Sequence, residues 1–373
     1  MKPNKDSASI LFIAPLPPPV TGQSVASVTL LEDLERNNIK VKVVNLSKQS
    51  FKSGFTSFWR ALEIVGVLIK VLMARPSSKR VYFTVAESVA GNLKDLVIYM
   101  CLLGRLNSTY IHLHGGAGMR ILLSRHHPCL RRINGIFLNR LAGVIVLGDR
   151  LASIYEDLVP ANKIHVIKNF APADTFVTWK QLRGKLETTQ PIRILYLSNL
   201  LPGKGYSELL ASIKLLPSDI VERIQIDFAG AFESECDQKM FLEAIKNIPQ
   251  IKYHGSVQGE LKKQLFMYAH IFCLPTYYPY EGQPISILEA YASGCTVITT
   301  DHSGIFDIFS PGQNGLAVDK KNPQSIAIAI TTLTKNPRLL RRFCVVNART
   351  ARREYRAEKH LQQLRSALKL KPS

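Results

Sequence analysis

Short apolar runs alternate with helically spaced segments along most of this chain, and the alternation occurs twice. SILFIAP (9–15), VKVVNL (41–46), RVYFTVA (80–86), TYIHLH (109–114), GVIVLG (143–148) and KIHVIKN (163–169) read as buried strands. Segments such as SVASVTLLEDLER (24–36) place apolar residues at helical spacing between them. A polar stretch without clear periodicity, APADTFVTWKQLRGKLETTQP (171–191), interrupts the pattern. It restarts with IRILYLSN (192–199), IQIDFAG (224–230), IFCLP (271–275) and TVITT (296–300). Strands this apolar, joined by helices, form parallel sheets covered on both faces. The expected fold class is therefore α/β, with two Rossmann-like, doubly wound parallel-sheet domains over residues 1–175 and 191–350 and a linker between them. A length of 373 residues suffices for two cores of ordinary size.

Composition narrows the class further. The six cysteines are scattered without a C-x-x-C pair, so neither a disulfide framework nor a cysteine metal site is expected, and a reducing, cytoplasmic setting is. The N-terminal MKPNKDSASILFIAP has an apolar part too short and strand-like for a signal peptide. The longest apolar stretch, ALEIVGVLIKVLM (61–73), is broken by Glu63 and Lys70 and falls short of the roughly 20 residues of a membrane span. It reads as a helix packed on a sheet, with a membrane-surface helix as the alternative.

The net charge of +20 is concentrated in two segments. Residues 52–150 hold 14 Lys/Arg against 4 Asp/Glu, and residues 335–371 hold 12 against 2. Such a field suits a polyanion or an anionic lipid surface. No RNA-reading aromatic motif, zinc finger or DNA-recognition pattern accompanies it, so lipid head groups are expected as the partner and nucleic acid is not. Solvated surface helices are the plain alternative.

Ligands of doubly wound sheets bind outside the carboxyl ends of the strands, which directs attention to three loops. The first strand leads into APLPPPVTGQSVAS, where three prolines extend the chain, Gly22 permits close backbone approach and Ser24 can cap the next helix. Free N–H groups there suit a phosphate, although the segment is not GxGxxG and an ordinary strand-helix turn looks the same. The second half opens with ILYLSNLLPGKGYSELLASI (194–213), in which Lys204 can reach a diphosphate as a compact three-donor cation; a surface lysine in a turn is the alternative. The third loop, YYPYEGQPISILEAYASG (277–294), places Pro284 in the first turn of a helix that stops at Gly294. The helix start near Pro284 and Ile285 offers N–H groups to oxygens. Glu289 falls within an otherwise apolar or small helix face. Burying a carboxylate costs several kcal/mol unless it is hydrogen-bonded, and ribose hydroxyls are suitable donors.

EGQPISILEAYASGCTVITT resembles the E-x7-E signature of glycosyltransferase family 4, retaining enzymes of the GT-B fold. The likeness extends, in the family's order, through the proline-rich first loop with Gly22, HLHGG, IVLGDRLASIY, SNLLPGKGYSELL and DHSGIFDIFSPGQNGLAV. It implies two Rossmann-like domains facing across a cleft, with a C-terminal helix (351–373) packing back toward the first domain. It also implies a nucleotide-diphosphate sugar as donor and a glycan or lipid-linked acceptor in cell-surface polysaccharide or lipopolysaccharide biosynthesis.

By that resemblance Glu281, with the backbone of Gly282 and Gln283, holds hydroxyls of the donor sugar. Glu289 binds the ribose, Lys204 neutralises the departing diphosphate, and His114 lies near sugar or acceptor hydroxyls. The family's usual arginine five residues before that lysine is replaced by Asn199, which leaves more of the phosphate charge to Lys204, Gly22 and helix N-termini. The chain contains no Asp-x-Asp pair, so a metal-independent hexosyltransferase without cofactor is expected. It is expected to sit peripherally on the inner face of the plasma membrane. A nucleotide-sugar epimerase and a catalytically silent sugar- or nucleotide-binding protein are the rival readings.

Overall fold

The computed structural model describes residues 9–47, 57–188 and 190–370. The signal-peptide reading therefore falls partly, and the counting of Lys52 and Lys371 among the basic segments wholly, outside the described residues. The chain divides into two compact units: residues up to Lys168 together with those from His360 onward, and Asn169–Lys359.

The sheet of the first unit contains β1 (Ser9–Ala14), β2 (Lys40–Asn45), β3 (Arg80–Thr84), β4 (Thr109–Leu113), β5 (Gly143–Val146) and β6 (Ile164–Val166). Their order is β2-β1-β3-β4-β5-β6, and every neighbouring pair is parallel. The second sheet contains β7 (Ile192–Leu197), β8 (Ile224–Ala229), β9 (Ile251–Tyr253), β10 (Ile271–Leu274), β11 (Thr296–Thr300) and β12 (Gly315–Val318). Its order is β12-β11-β10-β7-β8-β9, again parallel throughout. These are the two doubly wound α/β sheets expected from the alternation.

Most of the apolar runs extend past the strand they contain, and the excess lies mainly at the carboxyl end. Residues such as His114, Ser198 and Asn199 have already left the sheet for the loops above it. Two edge strands were not foreseen. β9 has three residues, one of them the exposed Lys252, and β12 is a four-residue segment whose Ala317 is exposed. Neither is long or apolar enough to stand out in the sequence.

The polar stretch 171–191 contains a helix, Trp179–Glu187, that belongs to the second unit. Thr178 caps its start and Gln181 returns the bond, a capping box. Its buried face consists of Leu182, Lys185 and Leu186, so a lysine stands where an apolar residue would have revealed the period. Lys185 Nζ donates to Ala269 O at 2.9 Å and to Ser293 O at 2.5 Å. Those carbonyls end the helices Gly259–Tyr268 and Ile285–Ala292, where a cation also suits the helix dipoles.

In the first unit the helix Ser57–Ala74 packs against Val89–Cys101 and β2. Among the described residues no helix is long and apolar enough to cross a membrane. The C-terminal part of the chain forms the helices Pro337–Glu354 and Ala357–Ala367. Within the first unit Arg365 pairs with Asp33 of the helix Gly22–Arg36, and His360 Nδ1 donates to Lys168 O at 2.8 Å.

Candidate active site

The strand order of the second sheet reverses beside β7, with β8 on one side and β10 on the other. The loops that follow β7 and β10 consequently leave the sheet side by side, the position at which doubly wound sheets bind ligands. Lys204 comes from the first loop and Glu281 from the second.

The lysine loop is shaped by its glycines. Gly203 and Gly205 have φ of +89° and +85°, and a Cβ on Gly205 would lie 2.4 Å from Pro275 O. That contact holds the lysine loop against the start of the glutamate loop. Tyr277 N donates to Gly203 O at 2.7 Å, and Tyr196 Oη donates to Lys204 O at 3.3 Å.

Held this way, Lys204 Nζ lies 2.7 Å from Glu281 Oε2, with the two side chains only 14% and 10% exposed. The ammonium also lies 4.5 Å from the centre of the Tyr278 ring, and Thr276 Oγ1 is 3.3 Å from the same carboxylate oxygen. A shielded ion pair adds little net stability over apolar packing. Its position above a sheet switch point is the informative feature, because a diphosphate and a polyol can each take over one partner.

The helix beyond the glutamate is anchored at both ends. Pro284 is the N-cap with φ −59°, one position before the first helical residue, Ile285, where the sequence had placed it inside the first turn. Gly294, at φ +66°, closes the other end: its N–H donates to Tyr291 O at 2.9 Å and that of Cys295 to Ala290 O at 2.8 Å, a Schellman motif. Gly282, Gln283, Pro284 and Ile285 are all buried. Asn169 fixes Gln283, donating its backbone N–H to Oε1 at 3.2 Å and its Nδ2 to the carbonyl at 3.0 Å.

Glu289, one turn into the helix, is 2% exposed. Lys262 Nζ of the helix Gly259–Tyr268 donates to its Oε1 at 2.5 Å. Burial pushes the Glu289 carboxyl above its usual range; Lys262 opposes this and Asp174 adds to it.

Several of these groups carried no sequence signal. Lys262 is one of two adjacent lysines in an otherwise polar segment, GELKKQ, and Thr276 and Tyr278 are ordinary loop residues. His302 donates through Nε2 to Tyr278 O at 2.7 Å, and burial pushes its imidazole below its usual range. Lys321 Nζ lies 5.2 Å from the centre of the Tyr277 ring. Asn199 is exposed and brings no charge to the loop.

In the first unit Thr21, not Ser24, is the N-cap of the helix Gly22–Arg36, and Ser24 returns the bond from the third helical position. A Cβ on Gly22 would meet nothing within 4 Å, so no packing demands a glycine there. His114 follows β4 and is half-buried; its Nε2 is inaccessible and has no hydrogen-bond partner among the described residues. Its ring centre is 3.9 Å from that of His112, whose Nδ1 lies 2.7 Å from Tyr82 Oη. Burial, reinforced by nearby His360, pushes His114 down to about 3, so the ring is neutral at physiological pH. A Cβ on Gly115 would lie 1.5 Å from Glu87 Oε1, which explains the glycine after this histidine.

The described residues contain no group of three or more His, Cys, Asp or Glu side chains arranged to hold a metal. Of the residues singled out in the sequence, Gly22 and His114 lie in the first unit. Asn199, Lys204, Glu281, Gly282, Gln283, Pro284, Ile285 and Glu289 lie in the second.

Two such sheets, with these loops over the switch point of the second, define a GT-B fold. Residues 177–350, all within the second unit, match the family of glycosyl transferases group 1. Among curated relatives, mannosylfructose-phosphate synthase of Agrobacterium fabrum is 26% identical over 43% of this chain and 36% of its own length. The amylovoran biosynthesis glycosyltransferase AmsK of Erwinia amylovora is 26% identical over 47% of this chain and 43% of its own length. The aligned part thus spans less than half of each relative. The crystal structure of Anabaena HepE in complex with UDP-glucose superposes with a TM-score of 0.71 over 97% of this chain and 99% of that one, at 17% identity.

Proposed function

We propose that the chain is a retaining, metal-independent glycosyltransferase. It moves a hexose from a nucleotide-diphosphate donor to a glycan or lipid-linked acceptor during assembly of a cell-surface polysaccharide. The observation that carries this reading is the Lys204–Glu281 pair, 2.7 Å apart above the switch point of the second sheet. The UDP-glucose held by HepE and the amylovoran role named for AmsK support the donor class and the pathway class.

In this reading the donor's diphosphate takes Lys204 from Glu281. The released carboxylate, with the backbone N–H groups of Gly282 and Gln283, then accepts and donates at the sugar hydroxyls. Glu289 accepts from the ribose hydroxyls, with Lys262 balancing its charge. As the bond to the anomeric carbon breaks, negative charge grows on the diphosphate, where Lys204 and the start of the helix Ile285–Ala292 stabilise it. The acceptor attacks from the face the diphosphate leaves, and the diphosphate takes its proton. In this reading the neutral His114 ring serves a sugar or acceptor hydroxyl. The basic surplus of residues 52–150 and 335–371 holds the enzyme peripherally on an anionic inner leaflet.

A panel of UDP-, GDP- and ADP-sugars tests the reading, first by thermal stabilisation and then by transfer with and without a chelator. One nucleotide sugar should raise the melting temperature and be turned over in the chelator. Lys204→Ala should weaken nucleotide diphosphate binding roughly ten- to hundredfold, the loss of a charge-assisted contact. Glu281→Ala should chiefly lower kcat. Full activity in both variants would remove the assignment.

A further inference from the structure

Tyr278 O accepts two hydrogen bonds. Glu281 N–H donates to it at 3.0 Å, closing a turn over residues 278–281 with Pro279 in its second position. His302 Nε2 donates to it at 2.7 Å. One carbonyl thus joins the backbone of the site carboxylate to a ring carried by the loop after β11. That ring is held by its own backbone: Ser303 turns the chain at φ +50°, and Ile305 N–H donates to His302 O at 3.0 Å.

Tyr278 also touches both halves of the ion pair. Its ring centre lies 4.5 Å from Lys204 Nζ, and its N–H donates at 3.2 Å to Thr276 Oγ1, which is 3.3 Å from Glu281 Oε2. A shift of Tyr278 therefore moves the turn that presents Glu281 and the ring that backs Lys204.

A carbonyl only accepts, so the neutral His302 ring carries its proton on Nε2 and its lone pair on Nδ1. Nδ1 has no hydrogen-bond partner among the described residues. The charged groups within electrostatic reach of the ring come from the loops on every side: Lys320 after β12, Glu281 after β10 and Lys204 after β7. Asp301 precedes it on its own segment and is exposed. Burial holds the imidazole below its usual range; the bond to Tyr278 O and the Glu281 carboxylate oppose this, and Lys320 and Lys204 add to it. The ring is therefore neutral at pH 7.

We propose that His302 is a positioning residue of the donor site: it fixes Tyr278, and with it Glu281 and Lys204, and it gains a proton on Nδ1 when a diphosphate binds. The proposal rests on the donor reading given above. There the diphosphate engages Lys204 and releases the Glu281 carboxylate, so negative charge increases around His302 and favours its charged form. Asn199 brings no cation to the lysine loop, and the imidazolium makes up part of that deficit. Because binding takes up a proton, affinity must rise as pH falls.

The probe is the nucleotide sugar selected from the donor panel, whose pyrophosphate diester does not titrate between pH 5.5 and 8. Calorimetry in buffers of differing ionisation enthalpy measures both its affinity and the protons taken up. Wild-type affinity should rise about three- to tenfold from pH 8 to pH 5.5, with net proton uptake. His302→Gln keeps a donor for Tyr278 O but cannot charge, so it should lose that response. His302→Ala loses the donor as well, and its kcat should fall roughly ten- to hundredfold; His302→Gln should restore most of that loss at pH 8. A His302→Gln protein with the wild-type pH response would overturn the proposal alone, as would a His302→Ala enzyme with wild-type kcat. Should His302→Ala fail to fold, the pH response of His302→Gln decides. Failure of every nucleotide sugar to bind the wild type would remove the donor reading and this proposal together.

Discussion

Lys262 Nζ lies 2.5 Å from Glu289 Oε1, so the carboxylate buried in one helix is neutralised from a neighbouring helix. The arrangement predicts a pH dependence. Burial raises the Glu289 pKa above the ordinary 4.5, so in the window just above that value the folded chain binds more protons than the unfolded one. Stability from this group is complete below the window and is lost as pH rises through it. Lys262→Met removes the opposing cation and should lower stability at pH 7 by about 2–3 kcal/mol, the low end for a broken buried pair because Lys262 keeps 28% exposure. Urea unfolding between pH 4 and 8 should show the steeper fall, and adding Glu289→Gln should flatten it. A pH-independent deficit in Lys262→Met would mean that the carboxylate is not the source.

Lys185 works on the same two helices from below. Its ammonium joins the terminal carbonyls of Ala269 and Ser293, and replacing it by methionine keeps the volume while leaving both carbonyls short of a donor. Lys185→Met should cost about 2–4 kcal/mol, read as a lower melting temperature. Because the helices carry Lys262 and Glu289, nucleotide affinity should fall as well. Wild-type stability in the variant would show that those carbonyls find other partners.

These two lysines also mark where the sequence stopped being legible. Ten strands and the loops above them could be read from apolar runs, because most are strands buried on both faces. β2, with Val44 as its buried residue, and the partly buried β6 are edge strands that the sequence reads as buried. Lys204 stands out between glycines in a loop and Glu289 as a carboxylate in an apolar helix, whereas Glu281 is singled out by the resemblance to the E-x7-E signature. Lys185 and Lys262 do not stand out. A lysine buried against carbonyls, or paired with a carboxylate 27 positions away, looks like any solvated lysine until the helices are packed. The same holds for His112 and His360, whose relation to His114 exists only in three dimensions.

That histidine cluster predicts acid sensitivity in the first unit. Burial lowers His112, His114 and His360, the last two to about 3 and about 4, against an ordinary 6.5. Between those values and 6.5 the unfolded chain binds more protons, so this stability is complete above pH 6.5 and is lost as pH falls. His360→Asn keeps a donor for Lys168 O without a titrating ring, and its acid midpoint by circular dichroism should move to lower pH. An unmoved midpoint would place the acid sensitivity elsewhere. Transfer rates between pH 5 and 8 should carry no inflection from His114, so a His114→Gln enzyme should be slower with a profile of the same shape.

Asn199 gives the most direct check on where the diphosphate lies. It is exposed two residues beyond the end of β7, at the start of the loop that carries Lys204. Lys204 is a single compact cation already engaged with Glu281, whereas an arginine at 199 would add a planar fork that matches phosphate oxygens. Asn199→Arg should therefore tighten binding of the nucleoside diphosphate selected by the UDP-, GDP- and ADP-sugar panel about three- to tenfold, corresponding to one exposed charge-assisted contact. A diphosphate held more tightly after transfer also leaves more slowly, so kcat should rise less than affinity, or fall. Titration calorimetry with that nucleoside diphosphate and steady-state kinetics separate the two effects. If affinity is unaltered while Lys204→Ala still abolishes it, the phosphates lie on the far side of Lys204, toward Tyr278 and the start of the helix Ile285–Ala292.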